Sequence, residues 1–234
     1  MTPTKYEELH WQPVALRLVG GGFLIALALC LIGWSLSAAQ GLSFFASEAQ
    51  ANIWIAEQRT ETWNEITMVW SNLADTKVCI AVLIVGIVVF RVWLGRWRES
   101  WTLLAAIVGE LWVFLIVTAL VGRDRPPVEH LDLAPPTSSF PSGHVGAAVA
   151  LYGCIAIIVL RELRPRWLAM FLAIILWTIP ILVLLSRVYR GMHFPSDVMF
   201  GAIAGSVWLT IVITTLLPRR HYQPAVTDRE SASV

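Results

Sequence analysis

Charge is scarce in this sequence. Only 14% of its 234 residues are Asp, Glu, Lys or Arg, while 57% are hydrophobic, and the mean hydropathy is +0.68. A soluble domain of that composition could not cover its core with polar surface, so the chain reads as a bilayer protein. The formal net charge of +1 offers no basic surface for a nucleic acid, which excludes that class of partner. Cysteine is scarcer still. Cys30, Cys79 and Cys154 are odd in number, lie inside apolar runs and show no metal-ligand spacing, so they read as small core or lipid-facing residues and do not report a redox compartment. The first residues, Met1 to Pro13, carry Glu7 and Glu8 rather than a basic stretch running straight into an apolar one, so the first apolar run is expected to be retained rather than cleaved. There is no internal repeat, and one domain is expected.

What is abundant is long apolar sequence. A membrane-crossing helix needs about 20 mostly apolar residues. Leu18 to Ala39, Trp101 to Gly122, Phe140 to Leu160, Trp167 to Ser186 and Val198 to Leu217 meet that requirement. A sixth span, Leu73 to Gly95, is shorter between Lys77 and Arg91, whose long side chains reach back toward the interface. The expected fold is all-α: an integral membrane bundle of six transmembrane helices over residues 18–218, a cytoplasmic N-terminal segment at 1–17 and a disordered cytoplasmic tail at 219–234. Between the first two spans, Glu48 to Asp75 is too polar to cross. There Trp63, Ile66, Trp70 and Leu73 recur at helical spacing among Glu57, Glu61 and Glu65, which predicts an amphipathic helix on the outer surface, serving either as packing or as a gate.

The basic residues set the orientation. With the N-terminus inside, Lys5, Arg17, Arg91, Arg96, Arg98, Arg161, Arg164, Arg166, Arg219, Arg220 and Arg229 fall on the cytoplasmic side. Arg59, Lys77, Arg123, Arg125, Arg187 and Arg190 are left outside, and an anionic substrate would account for arginines held there.

Four of those six lie in or beside a split set of residues at the mouths of the spans: Arg125-Pro126, then Pro141-Ser142-Gly143-His144, then Ser186-Arg187 with His193 and Asp197. Breaking a phosphate ester requires donors on the nonbridging oxygens, a nucleophile and an acid for the leaving oxygen. His193 and Asp197, four apart on the opening turn of the last span, face the same side. Asp197 could accept from one ring nitrogen and leave the other as nucleophile. Ser142 and Gly143 open the fourth span, where free amides and the absence of a Cβ suit a phosphate, and His144 is placed to act as general acid. Arg125 and Arg187 offer planar donor forks. Arg123 and Arg190 are either further phosphate contacts or solvated loop charges. This set of parts calls for no metal and no cofactor.

The order and spacing of these blocks resembles the three-part signature of the type 2 phosphatidic acid phosphatases, integral-membrane lipid phosphatases that share an active-site plan with the vanadium haloperoxidases. The motifs run from Thr118 to Asp197, about a third of the chain. The resemblance implies that His193 forms a phosphohistidine, that Asp197 orients it and that His144 protonates the leaving group. It also implies that Arg125, Ser142, Gly143 and Arg187 hold the phosphate of a membrane lipid such as a polyprenyl diphosphate, phosphatidic acid or phosphatidylglycerol phosphate.

One position departs from that signature. Where the family has a lysine seven residues before the arginine of the first block, this chain has Thr118, and Arg123 or Lys77 is expected to compensate. Glu110, the one acid deep within an apolar run, is expected to hydrogen-bond a neighbouring helix. Gly201 with Gly205, and Gly146 with Ala150, read as close-packing faces. An anion transporter using the same cations without reaction is the alternative. A serine hydrolase built on Ser142 is disfavoured, because residues adjacent at a helix start seldom place a hydroxyl and an imidazole face to face.

Overall fold

A computed structural model describes residues 11–38 and 43–217. Among them are eight helices and no strand: α1 (Trp11–Ala38), α2 (Ser43–Glu57), α3 (Glu61–Asn72), α4 (Thr76–Leu94), α5 (Arg98–Leu120), α6 (Gly143–Glu162), α7 (Arg166–Tyr189) and α8 (Pro195–Leu216). Six of them, all but α2 and α3, are long and apolar enough to cross a membrane, and the chain is a multi-pass membrane protein. The N-terminal segment before Trp11 and the expected disordered tail lie outside the described residues.

The segment between the first two spans is two helices rather than one. The chain breaks at Gln58 to Thr60, and Thr60 caps α3 by accepting from the Trp63 amide. Its apolar stripe is not what docks. Trp63 is 48% exposed, whereas Thr67 and Ser71 on the adjoining face are buried. The reason is the partner: α3 packs beside α7, whose end presents Arg187 and Arg190. Polar side chains and carbonyls there satisfy guanidinium groups that an apolar face would strand.

Helix α6 is the most buried of the six spans and contacts α4, α5, α7 and α8. Small residues let the neighbours approach. A Cβ on Gly201 of α8 would stand 2.6 Å from the Ser142 carbonyl, and one on Gly205 would stand 3.0 Å from that of Gly146. The glycines read as a packing face therefore press α8 against the start of α6, which carries half of the candidate site. Buried indoles find acceptors across helices: Trp208 donates to the Ala106 carbonyl at 2.9 Å, and Trp34, partly exposed, donates to that of Leu120 at 2.9 Å.

Glu110 makes no hydrogen bond to a neighbouring helix among the described residues. Its carboxyl lies against Gly146 of α6 and lines a small intramembrane cavity with Ser142, Gly201 and Trp208.

The two ends of the bundle differ. At one, Arg96 pairs with Glu99 at 2.6 Å and Glu162 at 3.0 Å, and Arg98 and Arg161 cap the carbonyls of Leu216 and Leu217. At the other, the end of α5, the start of α6, the end of α7 and the start of α8 converge.

Candidate active site

His193 sits in the turn between α7 and α8, which Gly191 permits by adopting φ 72°. The imidazole is 4% exposed. Its Nδ1 lies 2.7 Å from the carbonyl oxygen of Ser139. A carbonyl only accepts, so Nδ1 carries the proton and Nε2 keeps its lone pair. The pKa of His193 is held well below its ordinary value of 6.5, first by burial, then by the positive charges of Arg187 and Arg125, with His144 adding to them. Four groups from three stretches of chain therefore surround one imidazole.

Asp197 does not orient His193 directly. Its Oδ2 is 3.9 Å from Nδ1, beyond hydrogen-bond range. The expectation that the carboxylate would accept from the ring is corrected here, and helix geometry supplies the cause. As the third residue of α8, Asp197 folds back to accept from the Phe194 amide at 2.9 Å. It also accepts from the Ser139 hydroxyl and from Arg123, which leaves it linked to the imidazole only through Ser139.

Arg123 is likewise not presented as a phosphate ligand. Its guanidinium lies between two carboxylates, Asp197 and Glu48, the latter at 3.0 Å, and stacks over the Phe194 ring at 4.5 Å. Both terminal nitrogens are thus committed to buried acids, and only its buried Nε is left without a partner among the described residues. Lys77 is exposed on the first turn of α4, and the hydroxyl of Thr118 is buried without a hydrogen-bond partner among the described residues. No cation replaces the missing lysine at its own position.

The remaining donors converge. Arg125 Nη1 donates to the Met192 carbonyl at 2.7 Å, which ties the first block to the residue before His193, and burial lowers its pKa against the opposing charge of Asp197. The Ser142 amide donates to the Asp197 carbonyl at 3.1 Å, joining the second block to the third. Arg187 reaches Ser71 at 2.8 Å and Asp132 at 2.7 Å. Three buried atoms in these blocks, Arg125 Nε, Arg187 Nε and Ser142 Oγ, have no partner among the described residues. Buried donors left unpaired are costly, and an oxyanion among them would remove that cost. Gly143 and His144 form the first turn of α6 beside Ser142, where unpaired backbone amides add to the same anion site.

Arg190 is a tie rather than a loop charge. It holds Asp132 at 2.7 Å, the Asn64 carbonyl at 2.9 Å and the Leu131 carbonyl at 3.0 Å. Burial pushes the Asp132 carboxyl up, but Arg190 and Arg187 outweigh it and leave the group below its ordinary range.

Ser139, Glu48, Asn52 and Asp132 escaped sequence reasoning. Ser139 acts partly through its backbone carbonyl, which carries no residue signal. The carboxylates had one, because buried arginines need counter-charges, but the sequence offers Asp124 and Glu129 nearer the motif than Asp132 and does not select among them.

Residues 99–221 match the model of the PAP2 superfamily, which is more than half of the chain. The chain belongs to the PAP2 superfamily. A lipid A 1-phosphatase of Rhizobium johnstonii is 27% identical over 136 residues, 54% of this chain and 49% of the relative, so the chain spans about half the length of that protein. The crystal structure of a transmembrane PAP2-type phosphatidylglycerolphosphate phosphatase from Bacillus subtilis superimposes with a TM-score of 0.74 at 22% identity, covering 85% of this chain and 98% of the other. The PAP2 fold thus extends over most of the molecule, beyond the segment that the family model matches.

Proposed function

We propose that this PAP2 protein is a metal-independent lipid phosphate phosphatase acting through a phosphohistidine. The observation that carries the reading is the 2.7 Å contact between His193 Nδ1 and the Ser139 carbonyl, because it fixes the tautomer in which Nε2 is a nucleophile beside unpaired donors.

In the first step, Nε2 attacks phosphorus, the N–P bond forms and the P–O bond to the lipid breaks. His144, at the start of α6, protonates the departing alkoxide. Arg125, Arg187, Ser142 and the amides at Gly143 hold the nonbridging oxygens as charge shifts onto them. In the second step, His144 takes a proton from water, whose oxygen attacks phosphorus. Inorganic phosphate leaves, and the electron pair of the N–P bond returns to Nε2. Burial and the two arginines keep His193 neutral, as the attack requires.

The substrate in this reading is a lipid monophosphate or diphosphate whose headgroup enters the polar end of the bundle while its chains stay in the bilayer. Phosphatidylglycerol phosphate, phosphatidic acid and polyprenyl diphosphate all fit. In this reading that end faces the outer side and both termini the cytoplasm, which the distribution of basic residues supports. The transporter alternative gains nothing from relatives whose names describe phosphatases. Purified protein should release phosphate from at least one such lipid with chelator present, and no release from any of them would refute the assignment.

A further inference from the structure

Helix α2 lies outside both the sequence motif and the residues that the family model matches, yet two of its buried side chains reach the segment that carries His193. Glu48 and Asn52 are one turn apart on the same face of α2, 8% and 1% exposed. Asn52 Nδ2 donates to the His193 carbonyl at 3.2 Å. Glu48 accepts from the Ser196 amide at 2.8 Å and from the Ser196 hydroxyl at 3.0 Å. The helix therefore grips both ends of the four-residue stretch from His193 to Ser196.

The same glutamate closes a ring. Glu48 binds Arg123, Arg123 binds Asp197, Asp197 binds the Ser139 hydroxyl, and the Ser139 carbonyl binds His193. His193 returns to α2 through Asn52. Because Asp197 does not touch the ring, the imidazole is aimed by this frame as a whole. Asn52 also keeps a buried carbonyl oxygen without a partner among the described residues, a cost that apolar packing at that position would avoid.

We propose that Glu48 and Asn52 are positioning residues, which hold the His193 segment so that Nε2 points at the phosphate. This rests on the phosphatase reading above. Neither side chain contributes to the donor set of Arg125, Arg187 and Ser142, so the two should act on turnover and not on phosphate affinity.

The test compares full-length wild type, His193→Ala, Glu48→Gln, Asn52→Ala and the double variant, assayed in detergent with phosphatidylglycerol phosphate and phosphatidic acid, with vanadate inhibition measured alongside. Each single variant should lower kcat on the order of tenfold to a hundredfold, the scale of a misaimed reacting group. KM and the vanadate inhibition constant should stay within about threefold. The double variant should be no worse than about the poorer single one, since both act through one segment. Glu48→Gln preserves shape, and Asn52→Ala removes no charge, so a folding failure in one leaves the other to decide. Unchanged kcat in an active background would overturn the inference alone. A parallel loss of kcat and vanadate binding would make these residues phosphate ligands or fold determinants instead. A wild type that releases no phosphate would remove the phosphatase reading and this inference together.

Discussion

The carbonyl oxygen of Ser139 faces Nδ1 of His193 at 2.7 Å, and the hydroxyl of the same serine is bonded to Asp197. One residue thus fixes the imidazole tautomer with its backbone and anchors the nearest carboxylate with its side chain. Ser139→Ala keeps the carbonyl but cuts the link to Asp197, and should reduce kcat on the order of tenfold. Asp197→Asn disturbs Phe194, Ser139 and Arg123 together and should cost on the order of a hundredfold. Steady-state kinetics on the two variants checks the order, and a Ser139→Ala effect exceeding that of Asp197→Asn would contradict it.

The missing family lysine gives a second contrast. Lys77→Ala should leave turnover within about twofold, because the side chain is exposed and surface charges seldom matter more than that. Arg123→Ala should lower kcat by more than about tenfold with little change in KM, since it leaves Glu48 and Asp197 as buried acids without their cation. A raised KM and intact kcat for Arg123→Ala would restore that arginine as a phosphate ligand.

Packing supports the site as well. Gly201→Ala would drive a methyl toward the Ser142 carbonyl, 2.6 Å away. The overpacking should destabilise the protein by about 1–3 kcal/mol and reduce activity, because it separates α8 from the start of α6. Thermal denaturation in detergent with a parallel phosphate-release assay measures both, and unaltered values would show that the two helices yield there without effect.

Two groups outside the spans contribute to the pH dependence of stability with the same sign. His193 titrates below 6.5 in the folded protein, so between that lowered value and 6.5 the unfolded chain holds a proton that the folded one does not. Stability therefore rises with pH through this window and is lost as pH falls below about 6.5. Asp132, depressed below 3.8 by Arg190 and Arg187 despite burial, contributes stability above that value and loses it as pH falls through its folded pKa. The thermal midpoint of the wild type should drop between about pH 6.5 and pH 5, and His193→Gln should flatten that slope. Equal slopes in the two proteins would show that His193 does not titrate as described.

Much of this was legible in the sequence because apolar runs near bilayer length and separated motif blocks are strong signals. The spans around Leu18, Trp101 and Trp167 differ from the observed helices only at their ends. Three things were hidden. The break at Thr60 splits the polar segment into α2 and α3, and helical periodicity alone runs through it. The docked face of α3 is polar because α7 ends in arginines, which is a tertiary fact. The spacing of His193 and Asp197 indicates a shared helix face but says nothing of the helix-start amide that takes the carboxylate instead.

The measurement closest to the central claim is to quench wild-type protein during turnover of a lipid phosphate labelled at phosphorus, under conditions that preserve phosphoramidates, and to map the label by mass spectrometry. The account predicts a phosphoryl group on His193 in the wild type and none in His193→Ala, which should also be inactive. Label on Ser142, or an active His193→Ala protein, would contradict it.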